Sequence, residues 1–257
     1  MQHPDLPDVP GSSFIELQSV DSTNNYARKQ IDAKLALHGM IVFAHHQEAG
    51  KGQRGKSWLD EPGNNIAVSI ILKPDRLSLS DQFRLTACIA NAVCRFFSKY
   101  AGDDTKIKWP NDLYWQDRKA GGILIESIIS NSGNNINKWD WAIAGIGINI
   151  NQVNFPEHLP NPVSLKQITG KNFDPVQLTK ELAEQVLSSF HQLTEKGFES
   201  IYKDYLELLY KKNETVKFKK GNRVFEAMVT SVTPQGKLLL HHSIDEEFSF
   251  GEIEWVI

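Results

Sequence analysis

Apolar positions recur along this chain with two periods. Between residues 80 and about 100, Phe83, Ala87, Ala90, Cys94 and Phe97 keep helical spacing, which predicts a helix capped by Ser80 and packed on a sheet. Asp174-Pro175 opens another helix that runs to Lys196 and stops at Gly197. An aspartate accepts from the first free amides, and a proline needs no partner at the first helical position. A further helix continues to about residue 212, and Asp21-Ser22-Thr23 starts a shorter one, from residue 24 to about 36. Apolar runs of strand length cover 14–17, 40–44, 66–72, 106–109 and 141–150. Tyr114-Trp115 and the stretch 122–129 predict a hairpin that turns through 116–120. Along 141–150, Ile143, Gly145, Gly147 and Asn149 share one face, and Ala144, Ile146, Ile148 and Ile150 share the other. Two glycines on one strand face leave room for a crossing helix or a flat ligand. Strands and helices mix without regular β-α-β alternation, which predicts an α+β fold with a mixed sheet flanked by helices. From residue 213 onward the pattern changes to short strands at 215–218, 224–229, 237–241, 247–250 and 253–257, with a turn at Pro234-Gln235-Gly236. This predicts a small β-barrel, and so a larger domain over 1–212 followed by a small one over 213–257.

Composition narrows the function classes without choosing among them. Hydrophobic residues are 40% and charged residues 23%, ordinary for a globular chain. The net charge of −3 argues against a nucleic-acid protein held by bulk charge. There is no apolar run near the roughly 20 residues of a membrane span, and residues 1–13 carry no secretory apolar core. Cys88 and Cys94 fall about 120° apart around their helix, a poor geometry for a bridge. Free thiols suit a reducing compartment, so a cytoplasmic location is expected.

The chemistry is concentrated in a few segments. Gly50-Lys51-Gly52-Gln53-Arg54-Gly55-Lys56-Ser57 satisfies the pattern of a phosphate-binding P-loop. A P-loop also needs a helix whose N-terminus receives the phosphates, and the Pro62-Gly63 pair allows barely one helical turn. The segment still holds three cations and three glycines with no acid between Gly50 and Trp58, which suits a polyanion; a solvated surface loop is the competing reading. Lys106 and Lys108 share one strand face before the turn Pro110-Asn111-Asp112, as on an edge strand with a solvated face. Arg118-Lys119 precedes Gly121-Gly122, where backbone can approach a ligand. The pairs His45-His46 and His241-His242 lack metal-ligand spacing with other His, Cys or acidic residues.

In chain order, Asp21-Ser22-Thr23-Asn24, Gln47-Glu48-Ala49 with the Gly50–Trp58 loop, Lys108-Trp109-Pro110-Asn111-Asp112, Arg118-Lys119-Ala120-Gly121-Gly122-Ile123-Leu124 and Gly145-Ile146-Gly147-Ile148-Asn149 resemble the segments of biotin–protein ligases. The resemblance covers nearly the whole chain. It implies a class II synthetase-like catalytic domain followed by an SH3-like barrel. It further implies a two-step reaction in which biotin and ATP, with Mg²⁺, give biotinyl-5′-AMP, and the biotinyl group passes to a lysine of a biotin carboxyl carrier protein, usually a subunit of acetyl-CoA carboxylase. Lys119, Arg54 and Lys51 would then be catalytic. Ser22, Thr23, Asn24, Gln47, Gly50, Gly52, Gln53, Gly122, Gly145 and Gly147 would join Lys51 and Lys119 around biotin. Arg54, Lys56, Trp58, Asn111, Asp112 and Asn149 would meet ATP, with no metal held by protein side chains alone. Gln53 departs from the arginine usual in this family, as Lys51 and Lys56 do while keeping the charge; Gly121 replaces a common alanine. Some members carry an N-terminal DNA-binding domain, which the few residues before the first strand make an expected absence here, so neither DNA nor membrane is an expected partner. A monomer or a homodimer is expected. The alternatives are a lipoate or octanoate ligase of the same superfamily and a non-catalytic biotin-binding module.

Overall fold

The computed structural model describes residues 13–59, 61–132 and 136–256; the segment before residue 13 and the last residue of the final expected strand lie outside them. The larger sheet holds β1 (Phe14–Leu17), β2 (Ile41–Ala44), β3 (Ile66–Leu72), β4 (Thr105–Lys108), β5 (Asp112–Trp115), β6 (Arg118–Ser132) and β7 (Ile136–Ile148). Their order is β1-β2-β3-β7-β6-β5-β4. β1 runs parallel to β2 and the other ladders are antiparallel, so the sheet is mixed, as expected.

Helices divide unequally between its faces. On one face, α2 (Gln82–Ala101) and α4 (Pro175–Lys196) bury Leu85, Ile89, Phe96, Leu182, Val186 and Phe190 against Ile66, Val68, Ile70, Ile146 and Ile148. On the other, α1 (Thr23–Asp32) gathers Ala27, Met40, Val42, Ile71 and Ile143. β3 is covered on both sides along its length, which is why its sequence is an unbroken apolar run with one polar exception, Ser69. α1 packs mainly on β2, β3 and β7 and reaches β6 through Arg28 and Glu126, 4.0 Å apart, so most of the same face over β6 and β5 is open to the candidate site. Cys88 and Cys94 are free and buried inside α2, and burial pushes each thiol up to about 12.

Several element ends differ from the sequence reading, each for a tertiary or local reason. The cap ahead of α2 is Ser78 rather than Ser80, because a 3-10 turn over Leu79–Asp81 precedes the helix and Asp81 closes a reciprocal capping box on Ser78. α1 stops at Asp32, four residues short of expectation, just before Lys34 turns to φ +60°. α5 (Glu199–Glu207) also ends early. The chain after it pairs with the exposed edge of β4 instead: Ile107 N donates to Leu208 O at 2.8 Å and Tyr210 N to Ile107 O at 2.9 Å. An open strand edge is a strong template for passing backbone. The short helix α3 (Leu165–Thr169) was not anticipated, although Ser164-Leu165-Lys166-Gln167 is a capping-box pattern and both of its bonds form. Asp174 caps α4 as read, accepting from Val176 N at 2.9 Å.

The second sheet contains β8 (Thr215–Lys220), β9 (Arg223–Val232), β10 (Leu238–His241), β11 (Asp245–Phe248) and β12 (Glu254–Val256), all antiparallel, in the order β11-β10-β9-β8-β12. It curls: Phe248 on β11 comes within 6.2 Å of Phe225 on β9, two strands away, closer than a flat sheet permits. It docks on the larger sheet through Trp109, whose Nε1 donates to Gly236 O at 2.9 Å and whose ring meets Phe250 edge-on at 5.8 Å. Among the described residues no helix is long and apolar enough to cross a membrane.

Candidate active site

The floor of the site follows from register. Gly122 pairs with Gly147 and Leu124 with Gly145 across β6 and β7, while Ala67 and Ser69 of β3 flank the same two β7 glycines. The opposite faces of these strands carry the isoleucines that pack on α2 and α4, so the glycines form a strip without side chains on the face that α1 partly covers. Each glycine is approached closely by something. A Cβ at Gly145 would fall 3.0 Å from Asn24 Cγ, and one at Gly147 would fall 2.5 Å from Trp58 Cε2. At Gly122 it would lie 3.2 Å from Asp112 Oδ1 and 3.7 Å from Lys119 Nζ. Of the two possibilities open in the sequence, the crossing helix is realised over Gly145, while over Gly147 lies the ring of Trp58.

One end of the strip is polar and neutral. Gln47 Oε1 accepts from Thr23 N at 2.9 Å and Thr23 Oγ1 at 3.1 Å. Ser69 Oγ lies 2.8 Å from Thr23 Oγ1 and 2.6 Å from Asn24 Oδ1. Ser22 is buried at the N-terminus of α1 but makes no side-chain cap. Ser69 joins this cluster at a position sequence reasoning missed; its signal was a lone hydroxyl in the middle of an apolar strand, which must find a partner once buried. Among the described residues, two buried donors above the strip, Asn24 Nδ2 and Trp58 Nε1, make no hydrogen bond. Leaving a buried donor unsatisfied costs about 1–3 kcal/mol, so these two groups favour a ligand that brings an acceptor to them.

The other end is charged. Lys119 Nζ sits 2.8 Å from Asp112 Oδ1 beside Gly122. Asn111 and Asn149 lie beneath and are buried. Asn111 Nδ2 donates to Ile123 O at 2.5 Å, and Asn149 Nδ2 donates to Val163 O at 3.1 Å, with Lys119 O at 3.4 Å. Their amide nitrogens are held by backbone carbonyls of the strands and loop that carry Lys119. The solvated face expected for Lys106 and Lys108 is also corrected: Lys108 is half-buried, donating to Tyr114 OH at 3.0 Å.

The glycine-rich loop folds as a tight hairpin over the strip. Gly52 N donates to Lys56 O at 2.6 Å and Trp58 N to Gly50 O at 2.8 Å. Glycine is required where the arms meet, since a Cβ at Gly50 would lie 2.5 Å from Trp58 O. Its tip is a three-residue 3-10 turn with Arg54 at φ +55°, followed by extended backbone, so the loop does not feed a helix as a P-loop does. Its cations do not converge. Lys51 Nζ lies 2.5 Å from Asn25 Oδ1 and 3.6 Å from Glu126 Oε1, and Arg54 Nη1 reaches Gly251 O of the second sheet at 3.4 Å. Lys56 is exposed, and Gln53 Nε2 donates to Ile123 O at 3.3 Å, the carbonyl that also holds Asn111. Three of the four paired histidines meet carboxylates, His45 on Glu16 at 2.7 Å, His241 on Asp245 at 2.8 Å and His242 on Glu246 at 3.1 Å.

Residues 16–137 match the profile described as the Biotin/lipoate A/B protein ligase family. The chain is 30% identical over 233 residues to the Biotin--[acetyl-CoA-carboxylase] ligase of Paracoccus denitrificans, covering 87% of this chain and 92% of that one. It is 28% identical over 251 residues to the Bifunctional ligase/repressor BirA of Escherichia coli, covering 96% of this chain and 75% of that one. Among solved structures, a biotin protein ligase from Aquifex aeolicus in complex with biotin and ATP superposes with a TM-score of 0.76 at 25% identity, over 94% of this chain and 97% of that one.

Proposed function

The chain belongs to the biotin–protein ligase family, and on that premise we propose that it activates biotin with ATP and transfers the biotinyl group to a lysine of a biotin carboxyl carrier protein. In the first step a biotin carboxylate oxygen attacks the α-phosphorus, the bond to the β-phosphate oxygen breaks, and pyrophosphate leaves. In the second the carrier amine attacks the acyl carbon of biotinyl-5′-AMP, AMP departs, and the nitrogen loses a proton. The observation that supports this reading is the strip itself. It joins a neutral end with orphaned donors to a cationic end at Lys119, which matches a flat, ureido-headed acid whose carboxylate must meet a nucleotide's phosphates.

Each group then has a physical task. Gln47, Thr23, Ser69 and Asn24 orient the ureido head, and Gly145 and Gly147 make room on the floor for Asn24 and for the Trp58 ring beside it. Two anions repel one another as they approach, so the site must supply fixed positive charge where they meet, and Lys119 stands there. Asp112 orients Lys119 and faces the incoming carrier amine. Asn111 and Asn149 hold the strands that carry this pair. Lys51, Arg54 and Lys56 reach the phosphates by rearrangement of the loop, leaving the partners they have in this structure. Mg²⁺ would arrive on ATP's phosphates, where it would offset their charge. We assign residues 1–212 to this catalytic unit and 213–257 to a small domain packed beside it.

The deciding experiment supplies the purified chain with MgATP, labelled biotin and an acceptor carrier domain. ATP-dependent label on the acceptor is expected; absence of label, or labelling without ATP, refutes the reading. The loop adds a second prediction. Its arms are joined by few backbone bonds and most of its residues are exposed. An acyl-adenylate must be shielded from water, so the loop is expected to close on it. Tryptic cleavage at Lys51, Arg54 and Lys56 should slow by roughly tenfold or more when biotin and ATP are both present, as local opening is suppressed. Equal cleavage with and without ligands would remove the lid.

A further inference from the structure

One row of residues crosses the site face of the sheet. Lys108 of β4 is directly opposite Asp112 of β5, Asp112 is opposite Gly122 of β6, and Gly122 is opposite Gly147 of β7. Opposed residues on neighbouring strands share a face, with Cβ atoms about 4.5–5.5 Å apart. The Asp112 carboxylate is paired with Lys119 over Gly122, and Lys108 stands opposite Asp112 on its other side, acting on it through the field at longer range and not as an ion pair. Lys108 does not reach the strip. Its Nζ is held by Tyr114 OH at 3.0 Å, lies 4.7 Å from the Tyr114 ring centroid, and lies 5.5 Å from the ring of Trp255 on β12. The second sheet thereby closes over the end of the row.

We propose that Lys108 is a positioning residue for the activation step. It balances Asp112 from the far side, so that the Lys119 ammonium is free to turn to the reacting anions, and Trp255 holds it in place. This rests on the ligase reading given above. With Lys108 neutral or removed, Asp112 has one cation left to satisfy it, and that cation is the one the reaction needs. The arrangement also gives the second sheet a part in the chemistry, through one aromatic ring.

The charged and titratable groups around Lys108 are Asp112 and Tyr114 on β5, Lys119 on β6, Lys56 on the loop, and Tyr210, whose ring stacks near those of Tyr114 and Trp255. Burial lowers Lys108 from the ordinary 10.5 of lysine to about 8, with Lys119 and Lys56 adding to the fall and Asp112 opposing it. Burial moves the Tyr114 and Tyr210 phenols well above their usual range, so neither titrates alongside it. Because the protonated form is the active one, the balance is complete below about 8 and fades as pH rises through it.

The test measures pyrophosphate release from MgATP and biotin without carrier, from pH 6.5 to 9.5, so that titration of the carrier's lysine does not enter. The wild-type kcat is expected to fall above about pH 8. Lys108→Met should lower kcat by roughly 10- to 100-fold, leave KM for biotin within about twofold, and abolish that limb. Lys108→Arg should keep kcat within about threefold and remain flat to pH 9.5, because a guanidinium does not titrate there. Trp255→Leu, by admitting water, should move the limb upward, and a limb that stays in place removes Trp255 from the arrangement. A limb that persists in Lys108→Arg, or a Lys108→Met variant with wild-type kcat, overturns the proposal. The Lys108 side-chain NMR resonance, assigned by its absence in Lys108→Met, gives a readout independent of activity. It should titrate near 8 in the wild-type chain and higher in Trp255→Leu. A wild-type chain that releases no pyrophosphate refutes the ligase reading instead, while a Lys108 resonance that titrates like an exposed lysine refutes the burial on which the positioning role stands.

Discussion

Lys119→Ala should lower adenylate formation by at least about 10²–10³-fold while leaving the fold intact. The side chain is one-third exposed and its ion pair with Asp112 is open to water on one side, so the structural cost of removing it is about 0–1 kcal/mol. Its backbone is secured independently: Lys119 N donates to Asn161 O at 2.8 Å and Val163 N to Lys119 O at 2.9 Å, and neither bond involves the ammonium. The catalytic cost is large for a different reason. Carboxylate and triphosphate meet as like charges, and the loss of a fixed cation is felt most at the point where the new acyl-phosphate bond forms. Pyrophosphate release measured beside thermal unfolding separates the two effects. A mutant that retained more than about a tenth of wild-type turnover would show that Lys119 is not the group that carries this charge.

Gly145→Ala should disable the neutral end of the site. The new methyl would enter the space held by Asn24, falling 3.0 Å from Cγ and closer still to Oδ1. Asn24 cannot yield cheaply, because it is buried, is tied through Ser69 to Thr23, and belongs to the first turn of α1, so the helix itself must shift. Overpacking of this kind costs about 1–3 kcal/mol. Displacing Asn24 also pulls on the Thr23–Gln47 pair, so biotin affinity should fall by roughly tenfold or more, the loss expected when a well-made buried polar contact is broken. Denaturant unfolding and calorimetric titration with biotin read the two losses. Full stability would mean that α1 moves freely, and the close fit at Gly145 would then carry no energetic weight.

The sequence was most legible where neighbours in the chain decide the outcome. Apolar spacing located the helix over α2, and Asp174-Pro175 placed the start of α4 because its cap is bonded within three residues. The alternation along β7 put both glycines on the site face and the isoleucines on the core face, as the structure has them. It was least legible where a distant segment competes. The stretch after Glu207 was read as helix, yet it lies as backbone along β4, about a hundred residues earlier in the chain. Lys108 was read as solvated because nothing near it in sequence reveals the ring of Trp255.

The loop of three cations shows the same division in the site. Its composition marked it correctly as unusual, and its glycines as necessary. Where its charges go is set by groups far along the chain, Glu126 for Lys51 and Gly251 for Arg54. Ser69 entered the site through Thr23 and Asn24, more than forty residues away. The sequence by itself determined the elements, their order, the two-faced character of β7 and the kinds of residue available for chemistry, because periodicity and capping act within a turn or two. Only the tertiary structure decided which side chains meet, since an ion pair or buried hydrogen bond depends on register between strands, and that register is an outcome of the whole sheet.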